Sequence, residues 1–214
     1  MRAFAELLDR LVLTPSRNGK LRLIVDYFRT TPDPDRGLAL AAITGDLDIP
    51  SVKPAMLRAL VMERMDAVLF AYSYDYVGDL AETVSLVWPG ARTGPEDEME
   101  GISVRLSDAV AQLRSAGRAD GPAVLARLLD RMTISERFAT IKLVTGGLRI
   151  GVSARLAKQA LADFGGVDVT EIEELWHGIR PPYGELFDWL TGKAGKPELS
   201  AAAPFRPVML SNPV

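Results

Sequence analysis

Residues 144–155 read Val144-Thr145-Gly146-Gly147-Leu148-Arg149-Ile150-Gly151-Val152-Ser153-Ala154-Arg155. Apolar residues at helical spacing on both sides predict two helices, and the glycines between them predict a tight turn because glycine tolerates positive φ. Ser153 is a good N-cap for the second helix. We therefore expect two helices joined by a turn whose backbone amides face outward.

The charges around this turn favour an anion. Residues 142–160 contain no Asp or Glu and four cations, namely Lys142, Arg149, Arg155 and Lys158. Exposed amides, a helix N-terminus and cations at one place are the chemistry of a phosphate contact. A glycine-terminated helix with solvated charges explains the same residues equally well.

An earlier stretch of the chain repeats this pattern. Residues 44–49 match residues 145–150 position by position, and the ungapped alignment extends toward the N-terminus. We interpret this as an internal duplication of two helical half-domains, about 1–89 and 102–191, with an acidic linker at 90–101. Asp46 and Asp48 would repel a phosphate at the first turn, whereas Gly147 and Arg149 would accept one at the second.

A second candidate phosphate site is the start of the helix that Ser16 caps. The opening residues include Arg17 and Lys20 and no acid. Basic residues at a helix N-terminus oppose the helix dipole unless an anion is present, which favours a contact. A solvated first turn is an equally good explanation.

Composition restricts the class of protein. Of the 214 residues 48% are hydrophobic, but no apolar run approaches the roughly 18 residues that span a bilayer. There is no cysteine and one histidine, so thiolate metal sites are excluded and a histidine base is poorly supplied. The first residues predict an amphipathic helix rather than a signal peptide. We expect a cytoplasmic, all-α protein of about a dozen short helices, without a metal site or membrane contact.

Three alternating tyrosines, Tyr72, Tyr74 and Tyr76, suggest either a strand or a platform that stacks on bases. Their flanks are helical, and no second strand is available for pairing. We therefore expect them to pack between helices.

The chain resembles the N-terminal DNA-binding domain of ATP-dependent DNA ligases, in particular the bacterial members. Residues 136–160 resemble that domain's most recognisable motif, whose turn sits in the DNA minor groove. The segment Pro204-Phe205-Arg206-Pro207-Val208-Met209-Leu210 resembles the one that leads into the adenylation domain, although Val208 departs from the commoner spacing. Residues 192–214 would then be the linker to that domain.

The resemblance implies a partner, double-stranded nicked DNA, and a set of contacts. The turn would approach the sugar-phosphate backbone through Gly146, Gly147, Arg149 and Gly151, with Gly147 standing where some relatives have a further arginine. By the helix-dipole argument, Ser153 and Arg155 are further phosphate contacts. The second contact would be made by Ser16, Arg17 and Lys20.

The resemblance also implies which chemistry is supplied elsewhere. The family seals nicks in replication, recombination and repair through an adenylate on the lysine of a Lys-x-Asp-Gly motif, using ATP and Mg²⁺. No lysine of this chain is followed by x-Asp-Gly. We expect a DNA clamp without a cofactor, inactive without adenylation and OB-fold domains in cis. Two alternatives remain: an all-α protein-interaction scaffold, and a helix-hairpin-helix DNA-repair module, which lacks the acid that a base-flipping enzyme needs.

Overall fold

The computed structural model describes residues 1–89 and 104–198. These residues form helices and no strand, which confirms the all-α prediction. The helices are α1 (Arg2–Leu13), α2 (Arg17–Thr30), α3 (Asp35–Thr44), α4 (Pro54–Met62), α5 (Ala67–Val77), α6 (Leu80–Val87), α7 (Leu106–Ser115), α8 (Gly121–Leu129), α9 (Ile134–Thr145), α10 (Ala154–Gly165), α11 (Val169–Trp176) and α12 (Gly184–Leu190). None of these helices is long and apolar enough to cross a membrane. The predicted acidic linker and the segment 204–210 lie outside the described residues.

Side-chain caps and glycines set the helix ends. At six N-termini a side-chain oxygen accepts a hydrogen bond from an amide of the first turn, as N-cap residues do; the caps are Ser16, Asp66, Asp79, Thr133, Ser153 and Asp168. Gly45 and Gly146 end α3 and α9 with φ of 84° and 72°. Glycine adopts this conformation without strain, so each glycine stops its helix and opens a turn.

The helices of the two predicted half-domains interleave. The most extensive helix pairs join one half to the other: α2 packs on α10, and both α1 and α6 pack on α9. Buried apolar residues of both halves belong to one continuous core. We expected two half-repeats packed together within one domain; that division stays a prediction, and the structure adds that buried residues of both halves share one core.

Equivalent buried arginines support the predicted duplication. Arg36, near the start of α3, donates a hydrogen bond to the carbonyl oxygen of Phe28 at 3.3 Å. Arg137, near the start of α9, donates to the carbonyl oxygen of Leu129 at 2.8 Å. Each acceptor lies eight residues before its arginine. The duplication itself stays a prediction.

An aromatic cluster fixes α2 against α10 and α12. The ring of Phe28 meets Phe164 and Phe187 edge to face, with centroid distances of 6.0 and 5.4 Å. The Arg36 guanidinium lies 4.4 Å from the centroid of the Phe187 ring. Aromatic pairs contribute about 0.5–1.5 kcal/mol each beyond their burial. The cluster therefore holds α2 and α10 at a fixed separation.

The alternating tyrosines only partly follow the expectation. Tyr72 and Tyr76 are 72% and 93% exposed, so the predicted packing is wrong for these two. Tyr74 does pack: its ring stacks on Phe70, and Arg58 lies over it. The physical reason is that α5 lies at the edge of the fold, with Phe70 as its one buried residue.

Candidate nucleic-acid interface

Three segments that are far apart in the sequence line one surface groove of about 710 Å³. The first is the start of α2, with Arg17 and Lys20, and the second is the end of α3, residues 42–45. The third is the turn between α9 and α10. From the sequence, the first and third segments were separate candidate phosphate sites. The structure brings them together.

The backbone of the α9–α10 turn contains one strained residue. Gly146 and Gly151 have φ of 72° and 63°, which glycine tolerates. Arg149 also has a positive φ, 47°, a conformation that costs a residue with a side chain about 1–2 kcal/mol. Strain of this kind persists where surrounding contacts determine the conformation, and it is concentrated at functional sites.

Gly147 differs from its neighbouring glycines. Its φ is not positive, and a Cβ added at this position would meet no atom within 4 Å. Neither the backbone conformation nor the packing of the described residues therefore requires a glycine at 147. The position has room for a side chain on the surface of the turn.

Lys20 lies beneath the turn instead of on the surface. It is 9% exposed, and its ammonium donates hydrogen bonds to the carbonyl oxygens of Ile150 at 2.5 Å and Gly151 at 3.3 Å. A Cβ added at Gly151 would lie 2.5 Å from the Lys20 nitrogen. The sequence suggested Lys20 as a phosphate contact, and this stays a prediction; what the structure adds is that the Lys20 side chain is buried and supports the turn from beneath.

Arg17 and Arg149 are the exposed cations that line the groove. Within the described residues, neither guanidinium has a carboxylate within ion-pair distance. Arg155 is also exposed and has no carboxylate within ion-pair distance among the described residues. It lies on the first turn of α10, outside the lining of the groove. The groove therefore presents two guanidinium groups that have no anionic partner among residues 1–89 and 104–198.

The two predicted serines both cap helices next to the groove. The Ser16 hydroxyl accepts a hydrogen bond from the amide of Gly19, and the Ser153 hydroxyl accepts one from the amide of Leu156, each at 3.2 Å. Both serines are exposed, and Ser153 lines the groove directly. Capping leaves the other amides of each first turn available to an anion.

Two cations that the sequence places near the turn have partners elsewhere. Lys142 is buried and pairs with Asp79 at 2.6 Å, which joins α9 to α6. The Lys158 ammonium lies 5.0 Å from the centroid of the Trp176 ring. Burial raises the pKa of Asp79, but hydrogen bonds from Lys142 and from two backbone amides outweigh burial and lower the pKa below its usual value. Lys142 thus anchors the helix that leads into the turn.

The turn after α3 lies on the same groove, which the sequence did not indicate. Thr44 and Gly45 line the groove, and Asp46 follows them. The Asp46 carboxylate accepts hydrogen bonds from the Tyr183 hydroxyl at 2.8 Å and the Thr44 hydroxyl at 2.7 Å. Burial, together with the bond to Asp46, raises the pKa of Tyr183 above its usual value. Asp46 therefore anchors α12 to this turn, a role that sequence reasoning missed.

A family model described as DNA ligase N terminus matches residues 1–162 of the chain. The matched region runs from α1 into α10 and includes every residue that lines the groove. No curated protein matches the chain.

Proposed function

The chain belongs to the family of N-terminal domains of ATP-dependent DNA ligases, enzymes that act on DNA, and we propose that it clamps duplex DNA through the groove described above. In this proposal Arg17, Arg149 and the glycine turn contact the sugar-phosphate backbone along the minor groove. The observation that carries it is that the start of α2 and the α9–α10 turn, far apart in the sequence, line one groove. Backbone contacts fix the register of a protein on DNA without specifying the base sequence, so we propose binding that is independent of sequence.

The electrostatics of the groove support an anionic ligand. The Arg17 and Arg149 guanidiniums are exposed without a carboxylate partner in the described chain, and the Lys20 ammonium lies behind them. Asp46, which follows the groove residue Gly45 in the chain, accepts hydrogen bonds from the Tyr183 and Thr44 hydroxyls. The net charge of the protein is −3, so attraction to DNA depends on this local arrangement and not on the overall charge.

The sealing chemistry falls to other parts of the ligase in this proposal. Nucleotidyl transfer needs an activated lysine nucleophile and carboxylates that bind the metal ion. This chain contains no Lys-x-Asp-Gly motif. Adenylation and OB-fold domains in cis would supply the lysine and the sites for ATP and Mg²⁺, and the helical domain would hold the nicked duplex for them.

The family match favours this function over the two alternatives that the sequence left open. A scaffold that binds only proteins would be indifferent to DNA. A helix-hairpin-helix repair module belongs to a different family of domains. Duplex binding is therefore the first property to measure.

Fluorescence anisotropy titrations at several salt concentrations test the proposal, with labelled nicked and intact duplexes of unrelated sequence. We expect log Kd to rise linearly with log salt, by about 0.9 per phosphate contact, and similar affinities for unrelated sequences. The variant Arg17→Ala should bind more weakly. Arg22→Ala is the matched control, because Arg22 is exposed on the same helix but does not line the groove.

Three results would contradict the proposal. Absence of binding to any duplex at low salt would exclude the clamp. Equal losses for Arg17→Ala and Arg22→Ala would show that general charge is involved and not the groove. Strong discrimination between duplex sequences would exclude contacts to the backbone alone.

A further inference from the structure

The Lys20 side chain links the two halves of the molecule at the floor of the groove. Its ammonium bonds to the carbonyls of Ile150 and Gly151, 130 and 131 residues later in the chain. We infer that Lys20 is a positioning residue, which fixes the α9–α10 turn in the conformation that binds phosphate and acts on DNA through that turn. The expected effect of Lys20 on duplex binding rests on the proposed function.

The position of the two bonds in the turn supports this role. Ile150 and Gly151 directly follow Arg149, whose φ of 47° is strained. Such a conformation persists only when neighbouring contacts determine it. Lys20 supplies those contacts, and by bonding to the two carbonyls it also offsets their partial negative charge, which would repel a phosphate at the same turn.

Gly151 is the complementary half of this contact. A Cβ at position 151 would lie 2.5 Å from the Lys20 nitrogen, in addition to the strain of a φ of 63°. Gly146 has a similar φ of 72°, but a Cβ there would meet no atom within 4 Å. Alanine would therefore cause similar backbone strain at both positions but would disturb Lys20 only at position 151.

The Lys20 ammonium depends on the turn for its hydrogen-bond partners. Within the described residues it has no carboxylate within ion-pair distance, although it is buried. A buried charge needs compensating polar groups, and the carbonyl oxygens of Ile150 and Gly151 supply them. The contact therefore ties the position of the α9–α10 turn to that of α2.

The test measures hydrogen exchange of the turn amides 147–152 without DNA, together with the salt dependence of duplex binding. For Lys20→Met, which keeps the length but removes the donors, we expect about tenfold faster exchange confined to the turn. We also expect about tenfold weaker binding with nearly the same salt slope. Arg149→Ala is the contrast: its salt slope should fall by about one while exchange stays unchanged.

The two readouts separate the possible failures. Unchanged exchange with a salt slope reduced by about one would make Lys20 a direct phosphate contact and overturn the inference, as would no change in either readout. If the wild-type chain binds no duplex, the proposed function fails, but the exchange of Lys20→Met still decides the role of Lys20.

A second pair of variants applies even where Lys20→Met does not fold. Gly151→Ala should raise turn exchange and weaken binding more than Gly146→Ala does, because only the first disturbs Lys20. Equal effects of the two alanines would show that backbone strain alone matters, and would overturn the inference.

Discussion

Arg149 allows the strain and the charge of the turn to be removed separately. Arg149→Ala deletes the guanidinium but keeps a Cβ at a φ of 47°, whereas Arg149→Gly deletes both the guanidinium and the strain. A residue with a side chain in this conformation costs about 1–2 kcal/mol relative to glycine. Glycine loses more conformational entropy on folding than alanine does, which destabilises the glycine variant by roughly 0.5–1 kcal/mol and offsets part of this difference.

The net expectation is that Arg149→Gly is about 0.5–1 kcal/mol more stable than Arg149→Ala. In a protein of this size that difference raises the melting temperature by about 1–4 °C. Both variants lose the same charge, so both should bind duplex about tenfold more weakly, with a salt slope lower by about 0.9. Thermal denaturation gives the first comparison, and anisotropy titrations over a salt series give the second.

The melting temperatures test the strain at Arg149, and the affinities test its charge. Equal melting temperatures for the two variants would show that the backbone at Arg149 is not strained in solution. Unchanged affinity in both variants would remove Arg149 from the DNA interface. If the glycine variant alone lost affinity, turn flexibility and not charge would control binding.

Further predictions concern neighbouring residues and the chemistry. Gly147→Arg should strengthen duplex binding and raise the salt slope by about one without changing stability, because a Cβ at this position meets no atom within 4 Å; weaker binding would contradict this. Arg155→Ala should weaken binding at unchanged melting temperature, because Arg155 lies on the first turn of α10, whose N-cap Ser153 lines the groove. Asp48→Ala should not weaken binding; equal losses would refute the asymmetry of the two turns. Asp79→Asn keeps the N-cap but loses the ion pair, so it should be destabilised at pH 7. Because the folded pKa of Asp79 is lowered, the stabilisation from its charge is complete above the usual value near 4, declines below it, and is lost once the pH falls below the folded pKa. The melting temperatures of wild type and Asp79→Asn should therefore start to approach each other only below about pH 4. The isolated chain should form no covalent adenylate with radiolabelled ATP and Mg²⁺ and seal no nick; a labelled lysine would overturn its assignment as a binding domain.

The sequence predicted those features that depend on neighbours along the chain. Ser16 and Ser153 cap their helices as expected, and Gly146 ends α9, because each needs only the residues of one helical turn. Apolar periodicity likewise predicted the helices of the core. It failed on α5, where apolar residues surround the helix, so that the pattern could not identify Phe70 as the buried residue and Tyr76 as exposed.

The groove depended on contacts that no local pattern encodes. Lys142 and Arg149 carry the same charge in the sequence. In the structure Lys142 pairs with Asp79, which lies 63 residues earlier, whereas Arg149 has no carboxylate partner in the described chain. Lys20 and Arg17 likewise look alike in the sequence, but Lys20 is buried and donates a hydrogen bond to a carbonyl 130 residues later, whereas Arg17 is exposed. The cations available to an anion are therefore those that remain after the fold has paired the others. Because the helices of the two halves interleave, a cation of one half can pair with a carboxylate of the other, as Lys142 does with Asp79. Counting the cations in one stretch of sequence therefore overestimates the number that a bound anion can reach.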